Sequence, residues 1–91
     1  MNLEILHEPA AGRFSARVEG WACLLESRLQ GTAMTILRTE VPEAVRGRGI
    51  AAELVRAAFE AARSAGWRVV PACAYAAAWV RRHPGYDDLL A

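Results

Sequence analysis

At 91 residues the chain is read as one domain, residues 1–91, and a domain of this size buries only about 60% of its unfolded surface, so its stability margin is small. A composition that is 54% hydrophobic and 23% charged excludes a disordered tail, and a net charge of +1 with both signs interspersed excludes a general electrostatic attraction to nucleic acid or an anionic membrane. No basic-then-apolar leader and no run of about 18 apolar residues is present, and Cys23 and Cys73 lack metal-ligand spacing, so the expectation is a soluble cytoplasmic protein without a metal site.

Up to about Val41 the chain reads in period two. Leu3 and Ile5, with His7, open a first strand; Phe14, Ala16 and Val18 alternate with Ser15, Arg17 and Glu19 in a second. Trp21, Cys23 and Leu25 face away from Ala22, Leu24 and Glu26 in a third, and Met34 and Ile36 face away from Thr35, Leu37 and Thr39 in a fourth. The breaks at Glu8–Gly12, Glu19–Gly20 and Gln30–Thr32 suit hairpin turns, so four short antiparallel strands are expected.

The period then changes. Ile50, Ala51, Leu54, Val55, Ala58, Phe59 and Ala62 recur at spacings of three and four, while Glu53, Arg56, Glu60 and Arg63 form an opposite face expected to be solvated. Gly66 suits the residue after the helix end, Trp67–Ala72 reads as a short buried strand closed at Pro71, and Cys73–His83 reads as a second helix stopped before Pro84. Residues 85–91 finish as a turn or short helical tail. The order is β-β-β-β-α-β-α, an α+β (α/β) class in which the helix joining the last two strands crosses over one sheet face. The junction of the fourth strand and the first helix is the expected site.

That junction is Arg46-Gly47-Arg48-Gly49-Ile50-Ala51. A helix start presents unpaired N–H groups and the positive end of a dipole, which favour a phosphate. Glycine at 47 and 49 lets an anion approach the backbone, and Arg46 and Arg48 add charge and fork geometry, the makings of a diphosphate cradle. The Lys-Ser/Thr pair of a P-loop is missing, and Ala52 stands where a dinucleotide fingerprint needs its last glycine, which excludes the two better-known phosphate motifs. The spacing alone leaves a plain strand-to-helix turn, with arginines that solvate it, as an alternative.

The same six residues resemble the [QR]-x-x-G-x-[GA] signature of the GNAT acetyltransferase superfamily. Residues 39–91 as a whole look like its compact, single-domain GNAT-like (YjdJ-type) members, through "VPEAVRGRG", "PACAY" and "HPGY" in order. The resemblance implies a compact GNAT-like fold without the C-terminal strands of larger members. It implies acetyl-CoA as cofactor, with Val41, Val45, Arg46, Gly47, Arg48, Gly49, Ile50 and Ala51 holding its pantetheine and diphosphate, and Arg46 and Arg48 as phosphate contacts. It implies N-acetyl transfer to a primary amine that the sequence does not name, with little protein left to form an acceptor pocket. Two positions depart from the pattern: Arg38 stands where the compact members typically have histidine, and Ser27 where they often have tyrosine.

Acetyl transfer to an amine calls for a base, a carbonyl donor and an acid for the leaving thiolate. Glu40, at the end of the fourth strand, is the candidate base, acting through water, or else an exposed carboxylate paired with arginine. Cys73, at a helix start, is a candidate acyl acceptor, a residue lining the site, or a small core thiol. Tyr75 is a candidate donor to the carbonyl or acid for the thiolate, or else a core aromatic. His83 is explained by its position at a helix end, His7 has no partner in sequence, and Trp21, Trp67 and Trp79 read as core or rim, with Trp79 also placed to cover cofactor. Two non-enzymatic readings stand beside the transferase: a CoA or acyl-CoA sensor that keeps the cradle without turnover, and an interaction domain whose arginine-glycine turn binds RNA phosphates, which the near-neutral charge disfavours.

Overall fold

The protein is described by a computed structural model covering residues 3–91. Five strands, β1 (Leu6–Glu8), β2 (Arg13–Val18), β3 (Trp21–Gln30), β4 (Ala33–Glu40) and β5 (Arg68–Pro71), form one sheet in the order β1-β2-β3-β4-β5. The first four are antiparallel neighbours, and β5 runs parallel to β4. Helix α1 (Ile50–Ala65) supplies the crossover that a parallel pair requires, and helix α2 (Ala74–Arg81) follows β5. Short 3-10 turns occupy Pro9–Ala11, Glu43–Val45 and Pro84–Leu89.

The period-two residues Phe14, Ala16, Cys23, Leu25, Met34 and Ile36 point to one face and are all buried. The helical stripe of α1 (Leu54, Val55, Ala58, Phe59, Ala62) and Ala76, Trp79 and Val80 of α2 close on that face in a single core. Both helices therefore share one side. The other side of the sheet, bearing Ser15, Arg17, Ala22, Leu24 and Glu26, carries no helix among the described residues. No helix among them is long and apolar enough to cross a membrane.

The structure corrects the sequence reading at five places. The first strand begins only at Leu6, although Leu3 and Ile5 still pack against the core. His7 does have a partner: its ring stacks on Phe14 with centroids 4.0 Å apart, and burial there lowers its pKa. In β4 the alternation is interrupted by a bulge. Glu26 faces Arg38 while the next residue, Ser27, faces Ile36, so Leu37 is an extra residue, and Thr39 rather than Arg38 or Glu40 turns toward the helices. β5 is an edge strand in which Val69 is buried while Arg68 and Val70 are exposed, because no further strand or helix among the described residues covers its outer face.

The fifth correction concerns the polar face of α1. It is not simply solvated but receives the C-terminal segment. Arg63 pairs with Asp88 at 3.0 Å and donates to the Gly85 carbonyl, and the Tyr86 hydroxyl donates to Glu60 while accepting from Arg56. The Tyr86 ring packs against Phe59 and Trp79, which gives these polar contacts an apolar floor. Sequence periodicity reads a helix face as polar without registering which distant segment returns to it.

Phe59 joins the two helices and the C-terminal turn in one aromatic cluster, so Phe59→Ala is expected to lose about 3–5 kcal/mol. For a domain with so small a margin, denaturant titration should show a largely unfolded variant. Hydrogen bonding from Arg63 lowers the pKa of Asp88, as Arg13 does for Glu8 and Arg48 for Glu19. A carboxylate depressed by folding contributes its stability above its unfolded pKa and loses it as pH falls through the folded value. The denaturation midpoint should therefore drop on acidification below about pH 4, and Asp88→Asn should flatten that drop.

Candidate functional site

β5 stops at Pro71, opposite Ile36, whereas β4 runs on to Glu40. The Cys73 N–H donates to the Ile36 carbonyl at 3.0 Å as the chain leaves the sheet, and beyond this point β4 has no strand on that side among the described residues. The gap lies at the carboxyl ends of the parallel pair, the place where open α/β sheets receive ligands. It holds a cleft of about 740 Å³ lined by Thr39, Glu40, Val41 and Pro42, by Arg46, Gly47, Gly49, Ile50 and Ala51, by Tyr75 of α2 and by Ala22 of β3. This volume suits a small-molecule ligand.

The loop into α1 is built outward from Val45, whose side chain is fully buried and whose N–H closes a turn on the Pro42 carbonyl. Gly47 and Gly49 then both adopt φ +79°, a left-handed conformation that strains any other residue. A Cβ at either position would meet nothing within 4 Å, so the glycines face open space. The first helical bond is from the Glu53 N–H to the Gly49 carbonyl, and Gly49 offers no side-chain cap, which leaves the N–H groups of residues 50–52 as helix-start donors. A diphosphate fits this cradle: it supplies the acceptors those donors lack and takes the room the missing Cβ atoms leave.

The two arginines of the motif diverge. Arg46 lines the cleft and is steadied by donation from Nε to the Val41 carbonyl at 2.9 Å. Arg48 instead pairs with Glu19 in the turn between β2 and β3, a contact that holds the Glu19 carboxyl below and the Arg48 guanidinium above their usual pKa ranges. It is not among the residues lining the cleft.

The candidate catalytic residues also separate. Glu40 and Tyr75 line the cleft. Glu40 is paired with Arg38 at 3.1 Å, and Arg38 is held in turn by Glu26, so a guanidinium is clamped between two carboxylates at the cleft edge. Cys73 caps the start of α2, and its thiol lies 3.7 Å from the Thr39 hydroxyl, one residue behind the cleft wall. Cys23 is buried in the core, where desolvation raises its thiol pKa. Trp79 packs between Phe59 and His83, away from the cleft, and His83 directs Nδ1 to the Trp79 carbonyl at 2.7 Å. Trp67 is partly buried and Trp21 is half exposed at the rim. Among the described residues no group of three or more His, Cys, Asp or Glu is placed to hold a metal.

Thr39, Pro42 and Ala22 line the cleft without having been singled out in the sequence. Thr39 and Pro42 stand in the "TEVP" segment that carried the resemblance, but the bulge that turns Thr39 inward leaves no periodic signal. Residues 13–89 match the family described as GCN5-related N-acetyl-transferase. The chain belongs to the GCN5-related N-acetyltransferase family.

Protein NATD1 of Xenopus tropicalis is 30% identical over 86 residues, covering 91% of this chain and 79% of NATD1. The NMR solution structure of a GCN5-like protein from Staphylococcus aureus has the same fold, with a TM-score of 0.77 over 99% of this chain and 89% of that one, at 24% identity. In this GCN5-related N-acetyltransferase the cleft thus lies between a prematurely ended β5 and the glycine-bearing start of α1.

Replacing Gly49 by valine would put branched carbons into the open space of the cradle and force a left-handed φ on a β-branched residue, a strain of about 1–2 kcal/mol. Calorimetry below the melting temperature should show any binding of acetyl-CoA at least about tenfold weaker in Gly49→Val, because the valine side chain obstructs the helix-start donors.

Proposed function

We propose that the chain is a cytoplasmic, acetyl-CoA-dependent enzyme that acetylates a primary amine of a small molecule or protein. The observation that carries this reading is the cleft in which helix-start donors, the uncovered end of β4 and the Glu40 carboxylate meet. Acetyl-CoA, when bound, supplies the acetyl group as an activated thioester.

The N–H groups of residues 50–52 and the Arg46 guanidinium would hold the diphosphate, while Gly47 and Gly49 leave it room. The stretch of β4 past Ile36 offers backbone donors and acceptors to an extended chain lying where β5 has ended. Val45 supports the loop from the core, and Arg48 braces it through Glu19. Glu40 receives a proton from the amine, directly or through water, so that the nitrogen can form the new C–N bond as the C–S bond breaks. Tyr75 stands in the same cleft to return a proton to the departing sulfur, which keeps the electron pair. Because Glu40 and Tyr75 line the cleft and Cys73 does not, direct transfer is favoured over an acetyl-cysteine route.

Titration of acetyl-CoA by calorimetry, with dephospho-CoA and ATP as controls, tests the cradle, and an amine panel followed by mass spectrometry tests turnover. Glu40→Gln should lower kcat by about a hundredfold or more while leaving acetyl-CoA affinity unchanged. Cys73→Ala should keep most of the activity. The Arg38 clamp on Glu40 favours one other reading, a CoA-binding module without turnover. Saturable acetyl-CoA binding with no product from any amine would select it.

A further inference from the structure

The uncovered face of the sheet holds a second groove, of about 570 Å³, and the two cavities share Ala22. Strand register explains the continuity. Leu6 is paired with Ser15, Ser15 with Leu24 and Leu24 with Glu40, so these four residues form one row across β1, β2, β3 and β4 on the same face. The row begins at an edge leucine that is 61% exposed and ends at the carboxylate in the cofactor cleft. Beside it runs a second row, Glu8, Arg13, Glu26 and Arg38, in which Glu8 pairs with Arg13, and Arg38 with both Glu26 and Glu40.

We propose that this groove is the acceptor site, and that the acceptor is a primary amine carrying an extended apolar body. This rests on the acetyltransferase reading above. Leu6, Ala22 and Leu24 provide an apolar floor, and Glu8 and Arg13 beside it are paired, so a chain of hydrocarbon or an aromatic ring can cover the floor without separating that pair. Arg17 at the other rim is drawn to the Gly20 carbonyl at 2.9 Å. At the other end of the row the carboxylate that lines the cleft is Glu40. A cationic head is thereby drawn to the cleft end and the apolar body lies back over the sheet. The bulge at Leu37 is what makes this possible, since it turns Glu40 to the same face as the groove floor. The open face thus offers the acceptor a surface continuous with the cleft.

The test is an amide-resolved NMR titration of the full chain, saturated with CoA, with 4-phenylbutylamine as probe and ethanolamine and spermidine as comparisons. Saturable shifts at Ser15, Ala22 and Leu24 are expected with 4-phenylbutylamine, without comparable shifts from ethanolamine or spermidine. Leu24→Arg and the fully surface change Leu6→Lys should each weaken this binding by about tenfold or more, as expected for loss of buried apolar contact. They should leave CoA affinity unchanged, and kcat/KM for 4-phenylbutylamine should fall by a similar factor. Shifts confined to the start of α1, no saturable shift, or binding indifferent to both substitutions would overturn the proposal. Failure of CoA to bind would instead remove the acetyltransferase reading, with the amine shifts still deciding whether the groove binds; turnover without groove shifts would leave the enzyme and remove its acceptor site.

Discussion

The architecture depends on a mismatch in length between two parallel strands. β5 has only four residues and its ladder with β4 closes at Ile36, while β4 continues for four residues more. Backbone groups on that continuation need partners, and the core cannot provide them, because the chain must leave the sheet at Pro71 to begin α2. The same departure brings Tyr75 to one wall, and the crossover brings the start of α1 to the other. A longer β5 would seal the cleft. The bulge at Leu37 acts together with this mismatch: without it, the even-numbered residues Arg38 and Glu40 would follow Ile36 toward the helices, a face on which no charged side chain is buried.

Charge is organised locally, in agreement with a net value of +1. The ion pairs are solvent-exposed, and pairs of that kind contribute little to stability individually. Their effect is to fix positions. Glu19 holds the second motif arginine against the β2–β3 turn, and Glu26 holds Arg38 against Glu40. The first motif arginine is held only through a backbone carbonyl, so its charge stays available to the cleft. An arginine at position 38 therefore has a structural consequence of its own: it bridges two strands' carboxylates, which a shorter side chain in that place would not span with the same fork.

Much of this was legible in the sequence. The side-chain parity of the strands, the apolar stripe of α1 with its end at Gly66, and the second helix all follow from periods of two and 3.6 acting on local geometry. The glycine-arginine turn was equally readable, since positive φ and free N–H groups are properties of a few adjacent residues. What escaped involves register or distance along the chain. The bulge is a relation between two strands, the Arg48–Glu19 contact joins residues 29 positions apart, and the dock for the C-terminal turn on α1 appears only once residues 84–91 have returned to it. Thr39 illustrates the difference: alternation assigns it outward, and one inserted residue reverses it. His7 is a milder case, its strand parity readable and its stacking on Phe14 not.

The two margins of the sheet are finished differently from its interior. β1 is three residues long, ends in Glu8 and is followed at once by Pro9. On the far margin, Leu90 bridges to Val69 and the Ala91 N–H donates to the Val69 carbonyl, so the terminal segment lies alongside β5. Short, charged or covered edges are poor templates for another strand. Among the described residues, the long uncovered edge that remains is the end of β4, and it is recessed between two helix starts. The described margins of the sheet thus offer little to another strand, while the end of β4 keeps one stretch of backbone accessible only from the side, within the cleft.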